Sequence, residues 1–361
     1  MSVTVFHECE IPQYVETELD RLHGSLYASL RHLRVVGLDS GAHTYVRRLE
    51  DETACVLIYR VEGEAVQVLT QVLDLSAEEL NHFADFIFER HAQVKTITLP
   101  AVSVERTTLG RPHYARLYKY DVVSDVPATP DLFNKQLGKS VRRELRRSAD
   151  RLAKDHPDLE ITFEDGADCS ETDVREILAL SRERIESKTE TWAYSGSETD
   201  NIVTFLRQGG FVCIARIGGK VCGGQICYRF GDHFTLKACG YDTRYSAYSL
   251  GFLLCYQGML ECIRRGAKRI FLGFIVYDYK LWLKGKPRRL DRVVLYRSRA
   301  QQLARVPAIA VDFIAFHKEE LLARARKASH AKGRLAQSLR VLRSMLRVAK
   351  RAGRLLRPGW R

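Results

Sequence analysis

The spacing of apolar residues divides the chain into short alternating runs and longer helical ones. Apolar, β-branched runs at Thr44–Arg48, Ala54–Val61 and Ala65–Thr70 predict three strands, with Glu62-Gly63 as a turn. Ser76, followed by glutamates and then by Leu80, Phe83, Phe86 and Ile87 at helical spacing, predicts a capped helix ending near Arg90. Val94–Leu99 and Ala115–Val123 read as strands, and Pro127 and Pro130 mark a break. One long basic helix is expected from Asp131 to about Lys154, carrying Lys135, Lys139, Arg142, Arg143, Arg146, Arg147, Arg151 and Lys154. A strand at Leu159–Glu164 follows. Ser170 and Asp173 then open a helix that carries Val174, Ile177, Leu178 and Leu180, and Glu198–Arg207 predicts another.

The next block is the most regular. Phe211–Ile217, Val221–Phe230 and His233–Tyr241 are joined by Gly218-Gly219-Lys220 and Gly231-Asp232, which predicts an antiparallel meander. A loop (Asp242–Tyr248), a helix (Ser249–Arg265), a strand (Lys268–Leu272), a short amphipathic segment (Tyr277–Leu283) and a strand (Arg292–Tyr296) complete it. Both halves of the chain share a loose meander–helix–strand order, which points to a duplicated fold. The expected class is α/β (α+β), with mixed, mostly antiparallel sheets flanked by helices. Its parts are an N-terminal half (1–128), a second half (129–316) and a basic helical tail (317–361).

Composition narrows this reading without adding chemistry. At 45% apolar and 28% charged residues the chain is globular in character. Its longest apolar stretches fall short of a bilayer span, and no secretory signal is evident at Met1–Glu10, so a cytoplasmic protein is expected. From Lys318 to Arg361 there are 14 Lys and Arg against two acids; this tail holds +12 of the net +13, leaving a nearly neutral body. The nine cysteines lie far apart without a C-x-x-C pair, which predicts reduced, mostly buried thiols and no metal.

Candidate chemistry collects around the helix that begins at Ser249-Leu250-Gly251. Its first N–H groups and its dipole suit an anion such as a pyrophosphate, and Gly251 would let that anion approach. Ser249 acting as an ordinary N-cap explains the same residues. Asp242, Glu261 and His233 are general-base candidates with no clear choice among them. Between two helices, Lys188, Trp192 and Tyr194 form a polar and aromatic stretch. The two rings would stack on a sugar or nucleobase or cover the core, while Arg182, Arg184 and Lys188 would favour an acidic or phosphorylated acceptor. In the tail, Leu335, Leu339, Leu342, Leu346 and Ala349 alternate with arginines and lysines. That cationic amphipathic pattern, with Trp360 near its end, suits an anionic membrane surface better than nucleic acid.

The order of elements from Phe211 to Tyr296 resembles the core of the GNAT acyltransferases. Gly240-Tyr241-Asp242, Tyr245, Ser249 and Gly251, with Tyr279, Lys280, Trp282 and the basic helix Lys139–Arg151, are similar to one branch of that group. This is the FemAB-like acyltransferases of the cellulose-biosynthesis or exopolysaccharide-locus type. The resemblance covers about residues 131–300 and implies two tandem GNAT-like halves with N- or O-acyl transfer from acetyl-CoA or another acyl-CoA. The acceptor implied is a small molecule, a sugar or a cell-envelope precursor. The donor would be held by Gly240, Tyr241, Tyr245, Ser249, Leu250, Gly251 and Lys280. Tyr279, or second to it Tyr277, would protonate the leaving thiolate, and Lys280 is expected to lower the Tyr279 phenol pKa. Lys280 itself would steer an anion or be merely solvated. The superfamily's Q/R-x-x-G-x-G/A loop is absent, replaced by Tyr245–Gly251, and Trp282 stands one residue closer to Lys280 than in the family. Two alternatives therefore remain: a Fem-type aminoacyl-tRNA-dependent aminoacyltransferase, and a non-catalytic, membrane-associated scaffold.

Overall fold

The computed structural model describes residues 2–187, 196–307 and 309. The chain forms two compact units, Met1–Leu295 and Tyr296–Arg361. In the second, the short helix Arg299–Ala304 is capped by Ser298, whose hydroxyl accepts from the Gln301 N–H at 3.3 Å. The predicted basic tail (317–361) lies outside the described residues.

The first unit is a repeat. Its first half runs β1 (Ser2–His7), α1 (Tyr14–Leu22), α2 (Leu30–Val35), β2 (His43–Leu49), β3 (Glu52–Glu62), β4 (Ala65–Val68), β5 (Leu73–Asp74), α3 (Ala77–Arg90), β6 (Thr96–Ser103) and β7 (His113–Asp125). Two linking helices follow, α4 (Pro130–Gln136) and α5 (Lys139–Asp155). The second half runs β8 (Glu160–Asp165), α6 (Glu171–Glu186), α7 (Gly196–Gln208), β9 (Gly210–Ile217), β10 (Lys220–Phe230), β11 (His233–Tyr241), α8 (Leu250–Arg264), β12 (Arg269–Phe271), α9 (Asp278–Trp282) and β13 (Lys286–Tyr296). Each half is thus a strand, two helices, a three-stranded meander, a helix, a strand parallel to the meander's last strand, and a long final strand.

The final strands are exchanged. The sheet order is β1-β2-β3-β4-β6-β13-β7-β12-β11-β10-β9-β8, so β13 lies beside the first half's β6 and β7 beside the second half's β12. The two meet in an antiparallel ladder from Lys286↔Val123 to Leu295↔His113. Residues 1–128 are therefore a repeat within one compact unit, and their sheet is completed by a strand from beyond them.

Local chemistry explains most element ends. Ser76 and Glu79 form the reciprocal capping box expected of α3. The single basic helix is corrected to two: Leu137 takes an extended conformation (ψ 143°), so α4 stops there and α5 begins after Gly138. Leu145, Ser148 and Leu152 bury one face of α5, and every Lys and Arg on it is exposed. The strand expected at Arg292–Tyr296 begins six residues earlier. All nine cysteines are free thiols, with only Cys9 exposed. Among the described residues no helix is long and apolar enough to cross a membrane.

Where the halves meet, His23 is buried with no hydrogen-bond partner on either ring nitrogen. Burial, with Arg288 and His233 close by, lowers its pKa to about 3. Between that value and the ordinary histidine range the unfolded chain binds the extra proton, so stability falls as pH drops through this window. Acidification from about pH 7 to about pH 5 should lower the unfolding midpoint, and His23→Gln should flatten that acid limb. Separately, residues 1–128 expressed alone lack β13. They should give no cooperative thermal transition by circular dichroism, whereas residues 1–295 should melt as one unit.

Candidate active site

Strands β11 and β12 stay together for only three pairs, His233↔Arg269 to Thr235↔Phe271. Beyond them the chain turns to β7: the Leu272 N–H donates to the Val122 carbonyl at 2.8 Å, and the Val122 N–H to the Gly273 carbonyl at 3.1 Å. Residues 236–241 of β11 are left with β10 on one side and a gap on the other. At the gap β11 carries a bulge, because Ile226 pairs with Ala238 and Cys227 with Leu236, which makes Lys237 the extra residue.

A cavity of about 820 Å³ opens through this gap and reaches both faces of the sheet. On the α8 face it is lined by Gln225, Cys239, Cys255, Tyr277, Tyr279 and Lys280. On the other face it meets Tyr27 and His32 from the first half, together with Arg184, Glu198, Phe205 and Lys237. The equivalent gap in the first half is closed, because β5 re-pairs with β6 (Leu73↔Val102) after Val72 N–H bonds the Ala101 carbonyl.

Tyr279, the candidate acid, lines the cavity. Its ring stacks on Tyr277 at 5.9 Å and lies edge-on to Phe252 at 6.3 Å. Burial, with the thiols of Cys255 and Cys239 beside it, raises its phenol pKa well above the usual range. The expected lowering by Lys280 is thus corrected: desolvation outweighs the opposing pull of a cation, here Arg184. Cys255 donates to the Gln225 side-chain oxygen at 3.2 Å, and Gln225 donates in turn to the carbonyls of Ile226 and Ala238. Tyr277 is exposed at the rim.

Lys280 is not merely solvated. It is buried, its Nζ donates to the Ile275 carbonyl at 2.8 Å, and burial lowers its pKa to about 8. It fixes the loop of Gly273–Tyr277 that forms one lip of the cavity.

Several other candidates have structural work instead. Asp242 accepts from the backbone N–H of Arg244 at 2.9 Å and pairs with its guanidinium, which holds the carboxyl below its ordinary pKa; it does not line the cavity. Glu261 is occupied by Arg264 and Arg265, and His233 packs against Gly24. Gly240 is a packing glycine: a Cβ there would lie 1.9 Å from the Ile177 carbonyl oxygen of α6. Ser249 takes a left-handed conformation (φ 53°) and its side chain caps nothing, so the N-cap expectation fails. Gly251 makes room for the Tyr241 ring, which a Cβ would meet at 2.4 Å. Leu250 is core.

The start of α8 nonetheless has a cationic rim. Arg184 lies over Tyr241 (5.4 Å), Arg244 over Tyr245 (5.9 Å) and Arg151 over Tyr248 (5.4 Å). Arg184 also faces the cavity. Lys188, Trp192 and Tyr194 lie outside the described residues. Sequence reasoning missed Tyr27, His32, Lys119 and Lys237 altogether; the lysine between two apolar residues of a regular strand was the one available signal.

Residues 139–281 match the family model of the acetyltransferase (GNAT) domain. The structure shares the fold of FemX, with a TM-score of 0.57 at 10% identity over 82% of this chain and 99% of that one. A conserved protein of unknown function from Bacteroides thetaiotaomicron VPI-5482 follows at TM-score 0.49 and 13% identity, covering 82% and 100%. A tandem GNAT protein from the clavulanic acid biosynthesis pathway stands at 0.38 and 11%, covering 81% and 98%. No curated protein matches the chain in sequence.

The packing role of Gly240 is open to direct test. Gly240→Ala forces α6 away from β11 and should cost about 1–3 kcal/mol in denaturant unfolding, whatever ligand is present.

Proposed function

We propose that this chain is an acyl-CoA-dependent N- or O-acyltransferase, with acetyl-CoA as its donor, acting on a small-molecule, sugar or cell-envelope precursor. The observation that carries the proposal is the cavity through the sheet, with the Tyr279 phenol on the α8 face and an aromatic chamber on the other. The open edge of β11 suits an extended, amide-bearing arm such as that of CoA, because backbone groups there can pair as a strand would. Arg184 and Arg151 at the start of α8 suit its phosphates. When bound, the donor supplies an activated thioester.

The chain's own residues supply position and protons. Backbone at the β11 edge orients the donor and polarises its carbonyl. Tyr279 keeps its proton across the working pH range, because burial disfavours the phenolate, and can deliver it to the departing sulfur. Tyr27, His32 and Phe205 form an apolar wall against which a ring-bearing acceptor can lie. The charge pattern of residues 317–361 supports a peripheral seat on an anionic membrane, from the cytoplasmic side.

A second reading keeps the fold and changes the donor. The fully exposed cations of α5 favour contact with a polyanion, as an aminoacyl-tRNA donor would require.

Thermal unfolding with acetyl-CoA, longer acyl-CoAs, free CoA and bulk tRNA separates the two readings. A CoA species at about a hundred times its dissociation constant should stabilise the fold by about 2.7 kcal/mol. A salt-sensitive shift with tRNA alone would replace the first reading by the second. In a screen of amine and hydroxyl acceptors for CoA release, Tyr279→Phe should lower turnover about 10²–10⁴-fold while the acetyl-CoA stabilisation persists. Unchanged turnover would remove Tyr279 from the chemistry.

A further inference from the structure

Lys237 is the one lysine in β11, which has no arginine, and the bulge sets it at the mouth of the sheet gap. Its Nζ lies 6.0 Å from the centre of the Tyr27 ring. The carboxylate of Glu198 on α7 acts on it electrostatically, and the Lys237 charge is in turn felt by His32 on α2. Among the described residues two more lysines line the cavity, and they differ from it in burial. Lys280 is buried. Lys119 is exposed, over the rings of Tyr118 and Phe274. Lys237 alone combines partial burial with a place on the strand edge that borders the gap.

We propose that Lys237 is a self-acylation site: its ε-amine takes the acyl group from an acyl-CoA held in the gap. The inference rests on the acyl-CoA reading above. In the step, the neutral Nζ attacks the thioester carbonyl carbon, a C–N bond forms and the C–S bond breaks. The CoA sulfur leaves and takes up the proton that the nitrogen releases. No oxidant or further reactant is needed. Desolvation favours the required neutral amine, since burial lowers the Lys237 pKa to about 8 despite the attraction of Glu198. The resulting amide removes a charge from the acceptor side of the cavity and fills part of it. Acylated Lys237 would therefore stop turnover when donor is plentiful and acceptor scarce.

The test is incubation of the full chain with acetyl-CoA, followed by intact mass measurement and tryptic mapping, with calorimetric titration of acetyl-CoA alongside. One acetyl group per chain is expected. It should sit in a peptide spanning Phe230–Arg244, because acetylated Lys237 resists trypsin. Its rate of formation should rise with pH through about 8, and Lys237→Arg should abolish it while preserving the unfolding midpoint. Acetyl-CoA binding without an adduct on Lys237 overturns this proposal and leaves the acyltransferase reading standing. Adducts spread over surface lysines, or formed equally fast in Lys237→Arg, also overturn it. Failure of acetyl-CoA to bind overturns both.

Discussion

The ladder between β7 and β13 constrains everything else in the first compact unit. Each strand closes the repeat, and each has crossed to the other half's sheet, so neither half can complete its core alone. Buried within the ladder, Asp121 accepts from Arg288 at 3.0 Å. An ion pair in such a place adds little net stability, but removing one partner would strand the other in a low dielectric. That penalty ties the register of β13 to β7.

The same ladder opens the cavity. Val122 of β7 uses its N–H and carbonyl on Gly273 and Leu272, and this draws the chain after β12 away from β11. A backbone group satisfied by one strand cannot also serve another, so the β11 edge is left to face a gap. Lys280 then pins the lip of that gap through Ile275. In the first half the corresponding region is sealed by β5, with Val72 held at φ 61° to return the chain to β6. One copy of the repeat therefore closes its gap with its own chain, and the other leaves it open.

Much of this was legible in the sequence because it depends on local pattern. The capping box at Ser76, the meander from Phe211 to Tyr241 and the helix after Ser249 follow from turn chemistry and periodicity. The duplication was visible only as a loose order of elements. The sequence reading left β1, α1 and α2 unassigned, although they complete the repeat, because their apolar positions are few and satisfy the first half's core only in three dimensions. Strand exchange left no local trace at all. Tyr279 and Arg184, singled out by motif and charge, both line the cavity. Gly240 and Gly251 also have packing roles that the sequence did not show, because a glycine that admits a ligand and one that admits Ile177 or Tyr241 look alike in sequence. Tyr27 and His32 come from the other half, so no spacing argument could join them to Lys237.

Burial has opposite consequences for the two titratable groups that matter most in the cavity. Removing water disfavours charge in both. A phenol avoids charge by keeping its proton, and an amine avoids it by giving one up. Tyr279 and Lys237 are pushed apart accordingly, one upward and one downward. Two groups separated in this way by a shared environment can act as a proton donor and a proton-free nucleophile or base at one pH. Burial beside the sheet gap is the largest cause of both shifts.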